Sequence, residues 1–159
     1  MVNIKLIAVG KIKEDYLKNE INEYLKRLSR YAKISVIEVD DEKIMNNSSL
    51  KEDEKVKENE GKRLLKQIKE KDFVLLIDLH GQELDSLEFS DKFLQITNTN
   101  SNIDIVIAGS LGFSQEVIKR ANYRLCLSKM TFTHQMTRAI ILEQIYRAFK
   151  IINNETYHK

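Results

Sequence analysis

The chain has 159 residues, with 26 Lys and Arg against 24 Asp and Glu, 42% hydrophobic residues, one Cys, no Trp and no Pro. That length suits one domain over 1–159, which buries roughly two-thirds of its unfolded surface with no disulfide or metal staple. The ordinary apolar fraction excludes low-complexity disorder, and the longest apolar run, Phe73–Ile77, is far short of the roughly 20 residues of a membrane span.

In chain order, Ile4–Val9 reads as a first strand ended by Gly10. Residues 14–30 carry Leu17, Ile21, Tyr24, Leu25 and Leu28 at helical spacing, and Ile34–Val39 reads as a second strand. Ser49 and Glu52 form a capping-box pattern opening a charged helix through Ile68. Its apolar stripe is thin and Gly61 weakens it by about 1 kcal/mol relative to Ala, so part of it is expected to be exposed or loosely held. Phe73–Leu79 is a continuous apolar run with an Asp near its end, the pattern of a central strand, closed by His80-Gly81. A helix around Leu87–Ile96, a buried-type strand Ile103–Ile107, a short helix Ser114–Ala121 and a last strand Tyr123–Leu127 follow. Gln135–Ile152 is a long helix with apolar groups on more than one face, which meet either the sheet alone or the sheet and a partner chain.

Five strand–helix alternations imply an α/β domain with a mainly parallel sheet flanked by helices. Ligands of such sheets bind beyond the C-terminal strand ends, where His80-Gly81, Ala108–Gly112 and Ser128–Thr133 fall. The N-terminus lacks the basic start and apolar stretch of a signal peptide, and with a single Cys this predicts a reducing, cytoplasmic location. Charge is uneven. Seven cations and two carboxylates lie between residues 120 and 159, a net of +5 against −3 over residues 1–119. This is compatible with an anionic partner at one end and equally with a solvated helix face.

The chain has no dinucleotide fingerprint, no P-loop, no metal-spaced Cys/His cluster and no nucleophile elbow. Cys126, flanked by leucines, reads as an inert buried thiol. A phosphoacceptor receiver domain needs an acidic pair after the first strand, where this chain has Gly10-Lys11. Two loops remain. Gly109 and Gly112 allow close backbone approach to a ligand. Ser128, Thr131 and Thr133 offer hydroxyls while Leu127, Met130 and Phe132 supply an apolar slot suited to a flat heterocycle, although such hydroxyls also serve their own turns. His134 and Arg138 share one helix face, and Tyr157-His158-Lys159 ends the chain. These groups either hold an RNA backbone and base or are a helix cap and a frayed tail.

Leu127-Ser128-Lys129-Met130-Thr131-Phe132-x-His134-Gln135-Met136-x-Arg138, then Glu143-Gln144-x-Tyr146-Arg147-Ala148 and Tyr157-His158, closely resemble the RlmH family, bacterial SPOUT-class methyltransferases of large-subunit ribosomal RNA. Ala8-Val9-Gly10-Lys11, Glu60-Gly61, the third-strand end through Gly81 and Gly109-x-x-Gly112 also match, so the likeness covers essentially the whole chain. It implies an S-adenosylmethionine-dependent enzyme methylating N3 of a pseudouridine in 23S rRNA on the assembled ribosome, a homodimer with a C-terminal trefoil knot, using no metal and no membrane. The cofactor would meet Leu76 or Ile77, Ala108, Gly109 and Leu127, Ser128, Lys129, Met130, Thr131 and Phe132. The implied catalytic set is His134, Arg138, Tyr157 and His158: either His as base, Arg138 with Lys159 on phosphate, and Tyr157 stacked on a base. Two positions depart from the family pattern. Ala108 stands for a usual Gly, which tightens the pocket if that backbone needs positive φ, and Thr133 stands for a usual Pro, which loosens the 129–134 loop. The competing classes are a non-catalytic ribosome-binding protein and a SPOUT enzyme with another RNA nucleotide as target.

Overall fold

The computed structural model describes residues 1–159. Five strands alternate with five helices: β1 (Val2–Val9), α1 (Asp15–Leu28), β2 (Ala32–Val39), α2 (Leu50–Leu65), β3 (Phe73–Glu83), α3 (Ser86–Thr99), β4 (Asn102–Ile107), α4 (Gln115–Arg120), β5 (Tyr123–Cys126) and α5 (His134–Ile152). The strands form one sheet in the order β2-β1-β4-β3-β5, parallel at every pairing. This is the α/β architecture that the alternating pattern predicts.

Placement follows side-chain chemistry. β4, whose residues Ile103–Ile107 are all buried, lies between β1 and β3, where helices cover both faces. Helices α1, α3 and α5 pack on one face around Leu75, Phe93, Ile105, Ile141 and Ile145. Helices α2 and α4 cover the other around Ile7, Leu64, Val74, Val106 and Val117. Of the run Ile140-Ile141-Leu142 in α5, Ile141 and Leu142 are fully buried within the chain. Each such side chain contributes about 1.5–3 kcal/mol on burial, so a charge at Leu142 would undo the α5–sheet contact.

The capping box at Ser49 and Glu52 forms as the sequence predicts, and a second one, Asp85 with Glu88, opens α3. The first turns of α2 are largely exposed, Leu50 most of all. Gly61 serves packing rather than marking a weak point, because a β-carbon there would collide with Ser114 Oγ and crowd Val117 of α4. The sequence expectation that His80-Gly81 closes the third strand is corrected. β3 bulges after Ile77, and Gln82 and Glu83 pair again with Leu125 and Cys126 of β5. An extra stretch is tolerated here because β5 is an edge strand that follows the bulge. No helix is long and apolar enough to cross a membrane.

Candidate active site

The C-terminal sides of β3, β4 and β5 open onto a cleft of about 1010 Å³, the side of a parallel sheet where ligands bind. Its floor and one wall are Ile77, Ile107 and the Ala108–Gly112 loop; the opposite wall is Leu127, Ser128 and Met130–Phe132, and the first turn of α5 closes it. The mixture of apolar side chains with a few hydroxyls and loop backbone groups suits a heterocycle carrying a polar tail.

Of the predicted cofactor residues, Ile77, Ala108, Gly109, Leu127, Ser128, Met130, Thr131 and Phe132 line this cleft. Two do not. Leu76 is wholly buried among the residues under α2 and α4, because alternate strand residues face opposite ways and Ile77 takes the position facing the cleft. Lys129 is exposed and stands 3.9 Å from Glu83, so its ammonium faces solvent. The loop is ordered by its own turns: Ser128 Oγ accepts the Met130 N–H at 3.0 Å and the Cys126 thiol donates to the Ser128 carbonyl at 3.1 Å. Cys126 itself is buried. Thr133 is the N-cap of α5, its hydroxyl accepting the Met136 N–H at 3.2 Å. The anticipated loosening by loss of Pro is thus offset by a cap. Ala108 has no positive φ; among non-glycine residues only Asn47 and Asn154 do. Its methyl group is therefore unstrained.

His134, the first residue of α5, lines the cleft and is half-buried; Gly10, at φ +90° at the end of β1, leaves its ring room. Burial, reinforced by the nearby Arg138 guanidinium, pushes the His134 imidazole below its ordinary pKa. Arg138 requires a correction. It is 1% exposed, its Nη1 donating to Glu38 Oε2 at 2.5 Å and its Nη2 to the Gly10 carbonyl at 2.7 Å. Placed one turn behind His134 on the same face, it points into the chain and ties α5 to β1 and β2 instead of offering a cation to phosphate. Burial works to raise the Glu38 pKa, but the hydrogen bonds from Arg138 and the Ile12 N–H, with the charges of Arg138 and Lys11, together outweigh it and the net direction is down.

The tail is docked, not frayed. Tyr157 packs edge-on against Tyr146 at 4.9 Å with its hydroxyl donating to Glu143 Oε1, and Arg147 lies over its ring while meeting His158 Nδ1 at 3.0 Å. Glu155 accepts from Tyr31 and Lys150. These partners belong to the second half of α5, roughly 14–24 Å from His134 along the helix axis, or, for Tyr31, to the segment just after α1. Neither Tyr157 nor His158 lines the cleft of its own chain.

Several cleft features escaped the sequence. Asp78 holds Arg124 at 2.7 Å across β3 and β5 at the mouth, and Tyr16 of α1 reaches the rim. No local pattern announces them, since they meet only through sheet order. Glu60 of α2 is buried behind the Ala108–Gly112 loop, and burial raises its pKa.

A family model described as "Predicted SPOUT methyltransferase" matches residues 2–158. The chain belongs to the SPOUT methyltransferase family. Within that family it is 56% identical over 160 residues to the "Ribosomal RNA large subunit methyltransferase H 1" of Clostridium perfringens (strain SM101 / Type A), covering 99% of this chain and 100% of the relative. It is 55% identical over 159 residues to the "Ribosomal RNA large subunit methyltransferase H" of Clostridium botulinum (strain Hall / ATCC 3502 / NCTC 13319 / Type A), with the same coverage. For a SPOUT methyltransferase a methyl donor is required, and the cleft between the two loops is a concave, part-apolar site with room for one.

Proposed function

We propose that the chain transfers a methyl group from S-adenosylmethionine to N3 of a pseudouridine in 23S rRNA, on the assembled ribosome in the cytoplasm, as a homodimer with a trefoil knot in its C-terminal part. The observation that carries this reading is the cleft walled by Ala108–Gly112 and Leu127–Phe132 with His134 at its edge, in a chain over half identical along its length to proteins named as large-subunit ribosomal RNA methyltransferases.

The residues fit such a donor. Ile77, Ile107, Leu127 and Phe132 offer apolar contact to a purine, while Ser128, Thr131 and the Gly109–Gly112 backbone offer polar groups to ribose and amino-acid parts. When bound, the donor supplies a methyl carbon already activated by its sulfonium, which departs as a neutral thioether. The protein has two remaining tasks. It aligns the acceptor nitrogen with that carbon, worth several kcal/mol, and it removes the N3 proton as the N–C bond forms. His134 is the base: its lowered pKa keeps the imidazole neutral near pH 7 with a ring nitrogen free to accept. Tyr157 and His158 do not line their own cleft, so in this reading they serve the cleft of a second copy; the exposed apolar residues Tyr16, Leu79, Met130 and Met136 around the cleft support such a dimer. Lys159, exposed at the chain end, is left for phosphate contact in place of Arg138.

The test is a thermal-shift titration followed by mapping. S-adenosylmethionine at about a hundred times its Kd stabilises a binding protein by about 2.7 kcal/mol, and 23S rRNA from a strain lacking the protein should lose one methylated pseudouridine by mass spectrometry. No shift and an unchanged rRNA would leave a non-catalytic ribosome binder. A shift with a different nucleotide left unmodified would leave a SPOUT enzyme of another target.

A further inference from the structure

On the α2 side of the Ala108–Gly112 loop lies a carboxyl group with one oxygen unsatisfied. Glu60 is 4% exposed. Gly61 beside it lets α2 approach α4 closely enough to bring the carboxyl under the loop. Its Oε2 accepts the Glu42 N–H at 3.0 Å, whereas Oε1 is buried with no partner. A β-carbon on Gly109 would stand 2.8 Å from Oε1 and 3.2 Å from Oε2, so the loop backbone rests directly on the carboxyl. The same loop carries backbone donors that no backbone carbonyl takes up. The loop closes with Gly112 N–H donating to the Gly109 carbonyl at 3.1 Å, but the N–H groups of Gly109, Ser110 and Leu111 donate to no backbone carbonyl.

A buried acceptor with no donor is costly and uncommon in folded proteins. Here the unused acceptor lies against Gly109, in a loop whose Gly109, Ser110 and Leu111 N–H groups are uncommitted, and that loop lines the cleft. A residue placed only for packing would need no carboxyl at this point. We propose that Glu60 is a positioning residue for the methyl donor: its carboxyl supports Gly109 from behind, and Oε1 accepts a backbone N–H of the loop when the cleft is filled. Gly109 must then lack a side chain because of Glu60, not because of the ligand. This inference rests on the reading that the cleft takes S-adenosylmethionine.

Isothermal titration of the full-length protein with S-adenosylmethionine tests it, using wild type, Glu60→Gln, Glu60→Ala, Gly109→Ala and the double variant. Loss of the supporting acceptor in Glu60→Ala weakens binding about tenfold, and Glu60→Gln weakens it as well, because its single acceptor oxygen cannot serve both the Glu42 N–H and the loop N–H. Gly109→Ala weakens binding more, and adding Glu60→Ala recovers part of that loss by removing the collision. In turnover assays of Glu60→Ala the KM for S-adenosylmethionine rises while the KM for ribosomal substrate and the kcat at saturating donor hold, a split that mere loss of folded protein cannot produce. Equal affinity of Glu60→Ala and wild type overturns the inference, as does a double variant no better than Gly109→Ala. A wild type that itself fails to bind overturns the donor reading first, and is recognised by that control.

Discussion

Arg138 of α5 and Glu38 of β2 form an ion pair of 2.5 Å in which the guanidinium is buried and the carboxylate is at the margin of the sheet. With the Gly10 carbonyl as second acceptor, this pair fixes the start of α5 against the end of β1. The Glu38 side chain is 35% exposed, so removing Arg138 leaves a solvated carboxylate; what is lost is the packed guanidinium and the donor to the Gly10 carbonyl, about 1–3 kcal/mol. Arg138→Ala should therefore lower the unfolding free energy by about 2 kcal/mol in a denaturant titration and slow methyl transfer through displacement of His134. A variant of wild-type stability that lost only RNA affinity would restore the phosphate role that its burial argues against.

Asp104 of β4 lies buried beside Lys5 and Asp72, and burial together with the Asp72 carboxyl pushes its pKa up to about 7. An unfolded Asp titrates near 4, so between about pH 4 and 7 the folded chain binds the extra proton and stability falls as pH rises through that window. Asp104→Asn, always neutral, should be more stable than wild type by about 1–2 kcal/mol at pH 8 and no better at pH 5. Parallel stability–pH curves for the two proteins would refute the shifted titration.

What the sequence revealed and what it hid differ by range of interaction. Strand and helix order was legible because Phe73–Ile77 and Ile103–Ile107 carry uninterrupted apolar runs and because Ser49 and Glu52 mark a helix start within three residues. The cleft loops were legible because they follow those strands. Leu76 against Ile77 was decided by the strand's two-residue alternation, which side a residue faces being set by sheet partners. Arg138 was misread because its acceptors, Glu38 and Gly10, are 100 and 128 residues away; its helical spacing from His134 says nothing about them. Glu60 and Tyr157-His158 were visible in the sequence, the first only through the family resemblance; the contacts that bury the one and dock the other are long-range and left no local pattern.

Ala108 takes an ordinary backbone conformation, so restoring the family's Gly at this position should not improve the site. Ala108→Gly enlarges the conformational freedom of the unfolded chain and should cost about 0.4–1 kcal/mol of stability. Donor affinity should stay within about twofold, measured by titration. A marked gain in affinity would mean that the methyl group crowds the ligand after all.

Thr133 caps the helix that carries His134. Thr133→Ala removes the acceptor for the Met136 N–H and should cost about 1 kcal/mol. Amide exchange should quicken at residues 134–136 and not in the last turns of α5, because loss of a cap frays only the first turn. Uniform quickening along α5 would instead point to global destabilisation.

His134 opens α5 while His158 docks near its far end, about 20 Å away along one chain. If each site combines His134 of one copy with the tail of another, neither His134→Ala nor a chain ending before Tyr157 should methylate, yet both should still bind S-adenosylmethionine or keep most of that affinity, since the tail does not line its own cleft. Mixing the two inactive proteins under conditions that exchange subunits is the decisive measurement. Random pairing makes half the dimers mixed, and each mixed dimer holds one intact site out of two, so turnover should return to about a quarter of wild type. A tail acting on its own chain would give no recovery at any ratio, because no mixed dimer would then contain a complete site.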